Sequence, residues 1–135
     1  MISMTVLDRL VNVLLEVLPD IQAIYLFGSE ARHDMHSDSD IDLAVLHKGG
    51  MDELQLWKVA QELAAIAGKD IDLIDLDKAS TVMQMQIVSQ GKRLMCKDAV
   101  ACEIFEDFVF SDYARLNEER AEILASVQKQ GVIYG

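Results

Sequence analysis

At 135 residues the chain is long enough for one domain with its own core and short for two. Hydrophobic residues make up 51% of it, with seven glycines and one proline, which excludes a disordered or low-complexity chain, and no apolar run approaches the ~20 residues of a membrane span. Twelve basic against 23 acidic residues leave a formal charge of −11, which opposes binding to phosphate backbones and removes free nucleic acid from the expected ligands.

Taken in chain order, Thr5 is placed to cap a helix whose apolar positions Val6, Leu7, Leu10, Val11, Leu14, Leu15 and Leu18 recur at helical spacing until Pro19 ends it. Ile21 to Phe27 is short, apolar and rich in β-branched and aromatic residues, and Gly28-Ser29 follows at once, which predicts a strand entering a tight turn. Glu30 to Asp34 reads as one helical turn and Asp40 to His47 as a second strand, closed by Lys48-Gly49-Gly50. Asp52 then starts a helix through Leu54, Trp57, Val59, Leu63 and Ile66 to a stop at Gly68, with Trp57 expected in the helix-to-sheet core. Asp70 to Leu76 is a third strand. Asp77 is the expected cap of a helix through Val82, Met85 and Val88 that Gly91 stops, with Met83 and Met85 as adaptable packing, and Arg93 to Cys96 forms a short edge strand. From Asp98 a long helical pattern carries Val100, Ile104, Phe105, Phe108, Val109, Leu116, Ile123, Leu124 and Val127, with Glu118, Glu119, Arg120 and Glu122 on a polar face. The order is that of an α/β (α+β) domain with a small mixed sheet flanked by helices, with no linker dividing it. Residues 1–97 are expected to form the core unit, and residues 98–135 a terminal helix packing on it or on a partner. The N-terminal residues lack the succession of basic, apolar and small residues of a secretory leader, so the cytoplasm is the expected location. Cys96 and Cys102 are too few for a disulfide framework and are read as separate thiols.

The chemistry concentrates between Phe27-Gly28-Ser29 and Asp40-Ile41-Asp42. On a strand, residues i and i+2 share a face, so Asp40 and Asp42 present two carboxylates side by side. Two unit charges ~4 Å apart repel by roughly 4 kcal/mol at an effective dielectric of about 20, and close acids on a half-buried strand therefore call for a cation between them. Mg²⁺ suits such hard oxygen ligands and leaves positions open for phosphate. A third carboxylate is available from Asp70-Ile71-Asp72-Leu73, with Asp72 the first choice and Asp70 the reserve. Two metals on three aspartates would stabilise the attacking and leaving oxygens of an in-line displacement at phosphorus, while the third aspartate orients or deprotonates the acceptor hydroxyl. Gly28 lets the backbone approach a triphosphate, and the Ser29 hydroxyl and neighbouring N–H groups are placed to hold its phosphates.

Gly-Ser, a spacer of about ten residues and Asp-x-Asp resemble the signature of the DNA polymerase β-like nucleotidyltransferase superfamily. Within it, the stretches Tyr25-Leu26-Phe27-Gly28-Ser29-Glu30-Ala31-Arg32, Ser37-Asp38-Ser39-Asp40-Ile41-Asp42-Leu43 and Ile71-Asp72-Leu73-Ile74 are similar to the minimal nucleotidyltransferase (MNT) group, the antitoxins of HEPN/MNT toxin–antitoxin pairs. The similarity in length and element order covers residues 5 to 97. It implies the polymerase β-like fold, use of Mg²⁺ and ATP, and transfer of AMP to a tyrosine of a HEPN ribonuclease toxin in a hetero-oligomer. Residue by residue, it implies that Gly28 and Ser29 form the nucleotide-binding turn, that Asp40, Asp42 and Asp72 are the catalytic metal ligands, and that Arg32 contacts the triphosphate. Glu30 and His33 depart from the group's pattern, standing where relatives often carry a basic or aromatic residue and a glycine.

His33 and His36 have no second nitrogen or sulfur ligand at suitable spacing and are read as loop residues. Two other functions fit the same residues. One is an antitoxin that occludes its toxin without catalysis, and the other a transferase acting on a small cationic antibiotic of the aminoglycoside type.

Overall fold

The computed structural model describes residues 4–28 and 40–134, so the helical turn expected at 30–34, together with Ser29, Glu30, Arg32, His33 and His36, lies outside the described residues. Eight elements follow one another: α1 (Met4–Val17), β1 (Ile21–Phe27), β2 (Ile41–His47), α2 (Glu53–Ala67), β3 (Ile71–Asp75), α3 (Thr81–Gln90), β4 (Lys92–Cys96) and α4 (Ala99–Tyr134). The strands form one mixed sheet in the order β3-β2-β1-β4. β1 runs antiparallel to both β2 and β4, while β2 and β3 are parallel, joined by the α2 crossover.

Helices cover both faces of the sheet, which is why its strands read as near-continuous apolar runs. On one face Leu7, Leu10, Leu14 and Leu18 from the α1 segment and Val59, Ala60 and Leu63 from α2 pack on Ile24, Leu26, Ile41, Leu43, Val45 and Leu73. On the other, Ile87 of α3 and Cys102 of α4 pack on Ala23, Tyr25 and Ala44, with Phe27, Ile74, Met83 and Phe105 at the margin. A register shift between Ile21 and Ala23 fits both sides of β1 to these two cores.

Local signals set most boundaries. Asp52 caps α2 by accepting from the Gln55 amide at 3.4 Å, and Gly68 ends it in the left-handed conformation with its N–H on the Ala64 carbonyl. Three expectations need correcting. The cap of α3 is Ser80, whose hydroxyl accepts from the Met83 amide at 3.1 Å, rather than Asp77, whose own amide is held by Asp75 Oδ1 at 3.1 Å. Trp57 is 60% exposed, because the buried stripe of α2 runs through Leu56, Val59, Ala60, Leu63, Ile66 and Ala67 and leaves Trp57 beside it. Cys96 and Cys102 are joined in a disulfide, since the turn from β4 into α4 folds the two positions together with Cα atoms 6.7 Å apart.

The first turns of α4 are pinned to the sheet by a polar cluster. The buried Tyr25 hydroxyl donates to Glu106 Oε2 at 3.0 Å, and the same oxygen accepts from Arg93 Nη1 at 2.6 Å, so β1, β4 and α4 meet at one carboxylate. Beyond Leu116 every described side chain from 117 to 129 is exposed, Ile123, Leu124 and Val127 included. No helix of the described residues is long and apolar enough to cross a membrane.

Burial, and then the facing Glu106 carboxylate, pushes the Tyr25 phenol up from 10.0 to about 12. The fold therefore favours the neutral phenol, whose contribution is whole below pH 10 and is lost as pH rises through about 12. Denaturant unfolding should accordingly show a steeper loss of stability between pH 10 and 12 for the wild type than for Tyr25→Phe; equal slopes would remove Tyr25 from the alkaline transition. At neutral pH, Leu63→Ala should cost about 2–5 kcal/mol by opening a cavity in a fully buried position. Trp57→Ala should change stability by roughly 0.5 kcal/mol or less, as an exposed side chain does, and a cost comparable to Leu63→Ala would return Trp57 to the core.

Candidate active site

β1 ends at Phe27 and the chain turns at once on Gly28, whose φ of 73° lies in the region that favours glycine. Space requires glycine there as well: a Cβ at 28 would overlap the Asp42 carboxylate and stand 3.0 Å from its Cγ. The ladder explains this proximity. Antiparallel pairing sets Phe27 opposite Asp42, and parallel pairing sets Asp42 opposite Asp72. Directly opposed residues project to the same face, and neighbouring strands lie about 4.8 Å apart, so the Asp42 and Asp72 carboxylates stand side by side on the face that α3 and α4 cover.

Asp42 is half-buried within an otherwise buried stretch of β2, whereas Asp72 is exposed. Asp40 precedes β2 and is exposed, and Asp70 precedes β3 and is likewise exposed, with its carbonyl accepting from the Ile41 amide at 3.0 Å. The structure thus joins Gly28, Asp42 and Asp72 and leaves Asp40 one step beyond the ladder. Among the described residues no three His, Cys, Asp or Glu side chains are grouped closely enough to hold a metal ion. The expected contributions of Ser29 and Arg32 fall outside the described residues.

Two features escaped the sequence reading. A cavity of about 200 Å³ opens between Gly28 and α3, lined by Phe27, Gly28, Met83, Gln86 and Gln90. Spacing of three and seven residues places Met83, Gln86 and Gln90 on one side of α3. The other feature is Asp75, a buried carboxylate at the end of β3 that accepts from the Met51 amide at 2.8 Å and from the Asp77 amide, tying the loop before α2 to the strand that carries Asp72. Its signal was the alternation of Asp70, Asp72 and Asp75, in which the last changes face and so cannot belong to the same cluster.

The chain that carries this carboxylate pair is similar to known transferases. Residues 10–100 match the family model described as polymerase beta, nucleotidyltransferase. Over 120 residues the chain is 39% identical to the protein adenylyltransferase MntA of Shewanella oneidensis, covering 89% of this chain and 86% of that protein. Its fold superposes on a toxin–antitoxin structure with AMP-PNP at a TM-score of 0.81 and 39% identity, spanning 90% of this chain and 97% of the other. A structure of the tri-AMPylated Shewanella oneidensis HEPN toxin in complex with MNT antitoxin matches at a TM-score of 0.77 and 36% identity, with 92% and 97% covered. The paired strand aspartates beneath a glycine turn therefore sit in a chain that belongs to the polymerase beta nucleotidyltransferase family.

Proposed function

We propose that the protein is an antitoxin that transfers AMP from ATP to a tyrosine of a HEPN ribonuclease toxin and so silences it. One observation carries the reading: the parallel register that sets Asp42 beside Asp72 directly under a glycine turn no other residue could make without displacing the Asp42 carboxylate. Two adjacent carboxylates of this kind form a donor set of hard oxygens suited to Mg²⁺, and with Asp40 from the start of β2 they would hold ions that neutralise charge on the triphosphate. Similarity to MntA and to the AMPylated toxin complex supports both the adenylyl group and the protein acceptor.

In this reading Gly28 admits the phosphate chain to within reach of the backbone, with Ser29 and Arg32 holding the outgoing phosphates. Asp72, the most exposed of the pair, faces the acceptor and orients its hydroxyl or takes its proton. A bond forms between the acceptor oxygen and the α-phosphorus, the bond from that phosphorus to the bridging oxygen breaks, and pyrophosphate leaves in line. Residues 98–135 serve the partner: α4 extends past its last sheet contact with Ile123, Leu124 and Val127 uncovered, as a helix that finishes its core against another protein would.

ATP labelled at the α-phosphate should place label on the co-purified toxin, whereas γ-label should leave with pyrophosphate; stable γ-labelling of the toxin would indicate a kinase. Asp40→Asn combined with Asp42→Asn should leave the toxin complex assembled yet abolish transfer and neutralisation in cells. A double variant that neutralises at wild-type expression would instead support silencing by occlusion. Gly28→Ala should lower transfer by on the order of tenfold or more through displacement of the Asp42 carboxylate, as single-turnover rates would reveal.

A further inference from the structure

We infer that the cavity between Gly28 and α3 is the nucleobase subsite, and that the Gln86 and Gln90 amides select adenine there. The inference rests on the nucleotidyltransferase reading above and adds to it the residues that choose the nucleotide. It starts from position. Gly28 is a wall shared by the carboxylate pair and the cavity, because the same residue lines the cavity and closes over Asp42. A nucleotide with its phosphates at the glycine turn and the aspartates has its base displaced by the length of one sugar, and the cavity lies beside that turn on the same face of the sheet.

Size and lining fit one ring system. About 200 Å³ is less than the roughly 300–1,000 Å³ that whole small-molecule ligands occupy, and suits a base better than a complete nucleotide. Phe27 supplies an aromatic wall and Met83 a polarizable thioether, both partly buried and both able to cover the flat face of a base. Polar recognition falls to two amides one helical turn apart. A carboxamide matches the edge of adenine, giving its N–H to N7 and taking the exocyclic N–H₂ on its oxygen, whereas guanine presents O6 in place of that donor.

The rest of α3 points the same way. In a chain with 26% charged residues, its sequence Thr-Val-Met-Gln-Met-Gln-Ile-Val-Ser-Gln carries no charge. Gln84 is engaged structurally, donating to the Leu76 carbonyl at 2.9 Å, and Ser89 donates to the Met85 carbonyl at 2.6 Å. The Gln86 and Gln90 side chains have no hydrogen-bond partner among the described residues, and both are exposed between this cavity and a second one lined also by Val82, Met85, Ser89 and Tyr113. A charged side chain in either place would favour or repel the triphosphate whatever its base. Neutral amides discriminate by hydrogen-bond pattern alone.

Calorimetric titration of the full chain with Mg²⁺ and ATP, GTP or CTP tests the assignment, using the wild type and the Gln86→Ala/Gln90→Ala variant. Since both side chains are exposed, the variant should melt at the wild-type temperature. The wild type should bind ATP on the order of tenfold more tightly than GTP, the discrimination one bidentate amide supplies, and the variant should bring the two within about twofold. A variant that retains the full preference for ATP overturns the assignment, as does a wild type with no preference. If the variant keeps that preference and instead loses transfer of α-label to the toxin, the cavity receives the acceptor and not the base. Failure of every nucleotide to bind the wild type would defeat the nucleotidyltransferase reading itself, an outcome distinct from binding without selection.

Discussion

Everything in this site follows from one pairing that is unfavourable alone. The parallel ladder between β2 and β3 sets Asp42 opposite Asp72, and the turn at the end of β1 closes over the first of them. At strand spacing two such charges repel by a few kcal/mol at an effective dielectric of about 20, less where water and salt reach the exposed Asp72. Hydrophobic cover on both faces holds the ladder in place, and a one-residue slip of β3 would send Asp72 to the α1–α2 face and Leu73 out of its core.

That dependence divides the molecule into parts that fix the ladder and parts that use it. The core of Leu10, Leu14, Leu63 and Leu43 fixes β2, and Asp75 fixes the far end of β3 by gathering the Met51 and Asp77 amides. On the opposite face, the Tyr25–Glu106–Arg93 cluster anchors α4 to the same β1 strand that leads into Gly28. The anchor, Tyr25, stands three residues before that turn, so α4 is tied to the strand that leads into the site. α3 contributes an uncharged wall to the cavity beside the glycine turn.

Much of the fold was readable from residue order. Periods of two and 3.6, with Gly68 and Pro19, located the elements, because backbone conformation and local capping decide them. What failed depended on tertiary geometry. Trp57 was placed in the core on hydrophobicity, yet the face of α2 that meets the sheet is set by Val59, Ala60 and Leu63, and the large ring falls outside it. Asp77 lost the cap of α3 to Ser80 because the helix begins at Thr81, which puts Ser80 at the capping position with its hydroxyl on the Met83 amide. The cysteine pair and the Gln86–Gln90 wall became visible only when β4, α4 and α3 were brought against β1; neither polar amides nor two spaced thiols announce a site by themselves. Register sets Asp72 opposite Asp42, whereas Asp70 precedes β3 and lies outside the ladder.

The most direct measurement is thermal unfolding of the wild type and of Asp42→Asn, each in EDTA and in excess Mg²⁺ with ATP. A ligand bound only by the native state adds about 2.7 kcal/mol at a hundredfold excess over its dissociation constant, which for a domain of this size raises the melting temperature by several degrees. The wild type should show that rise, and Asp42→Asn, with one charge of the pair removed and its shape nearly unchanged, should show none. An equal rise in both proteins would mean that Mg²⁺ and ATP bind without the Asp42–Asp72 pair, contradicting its place at the centre of the site.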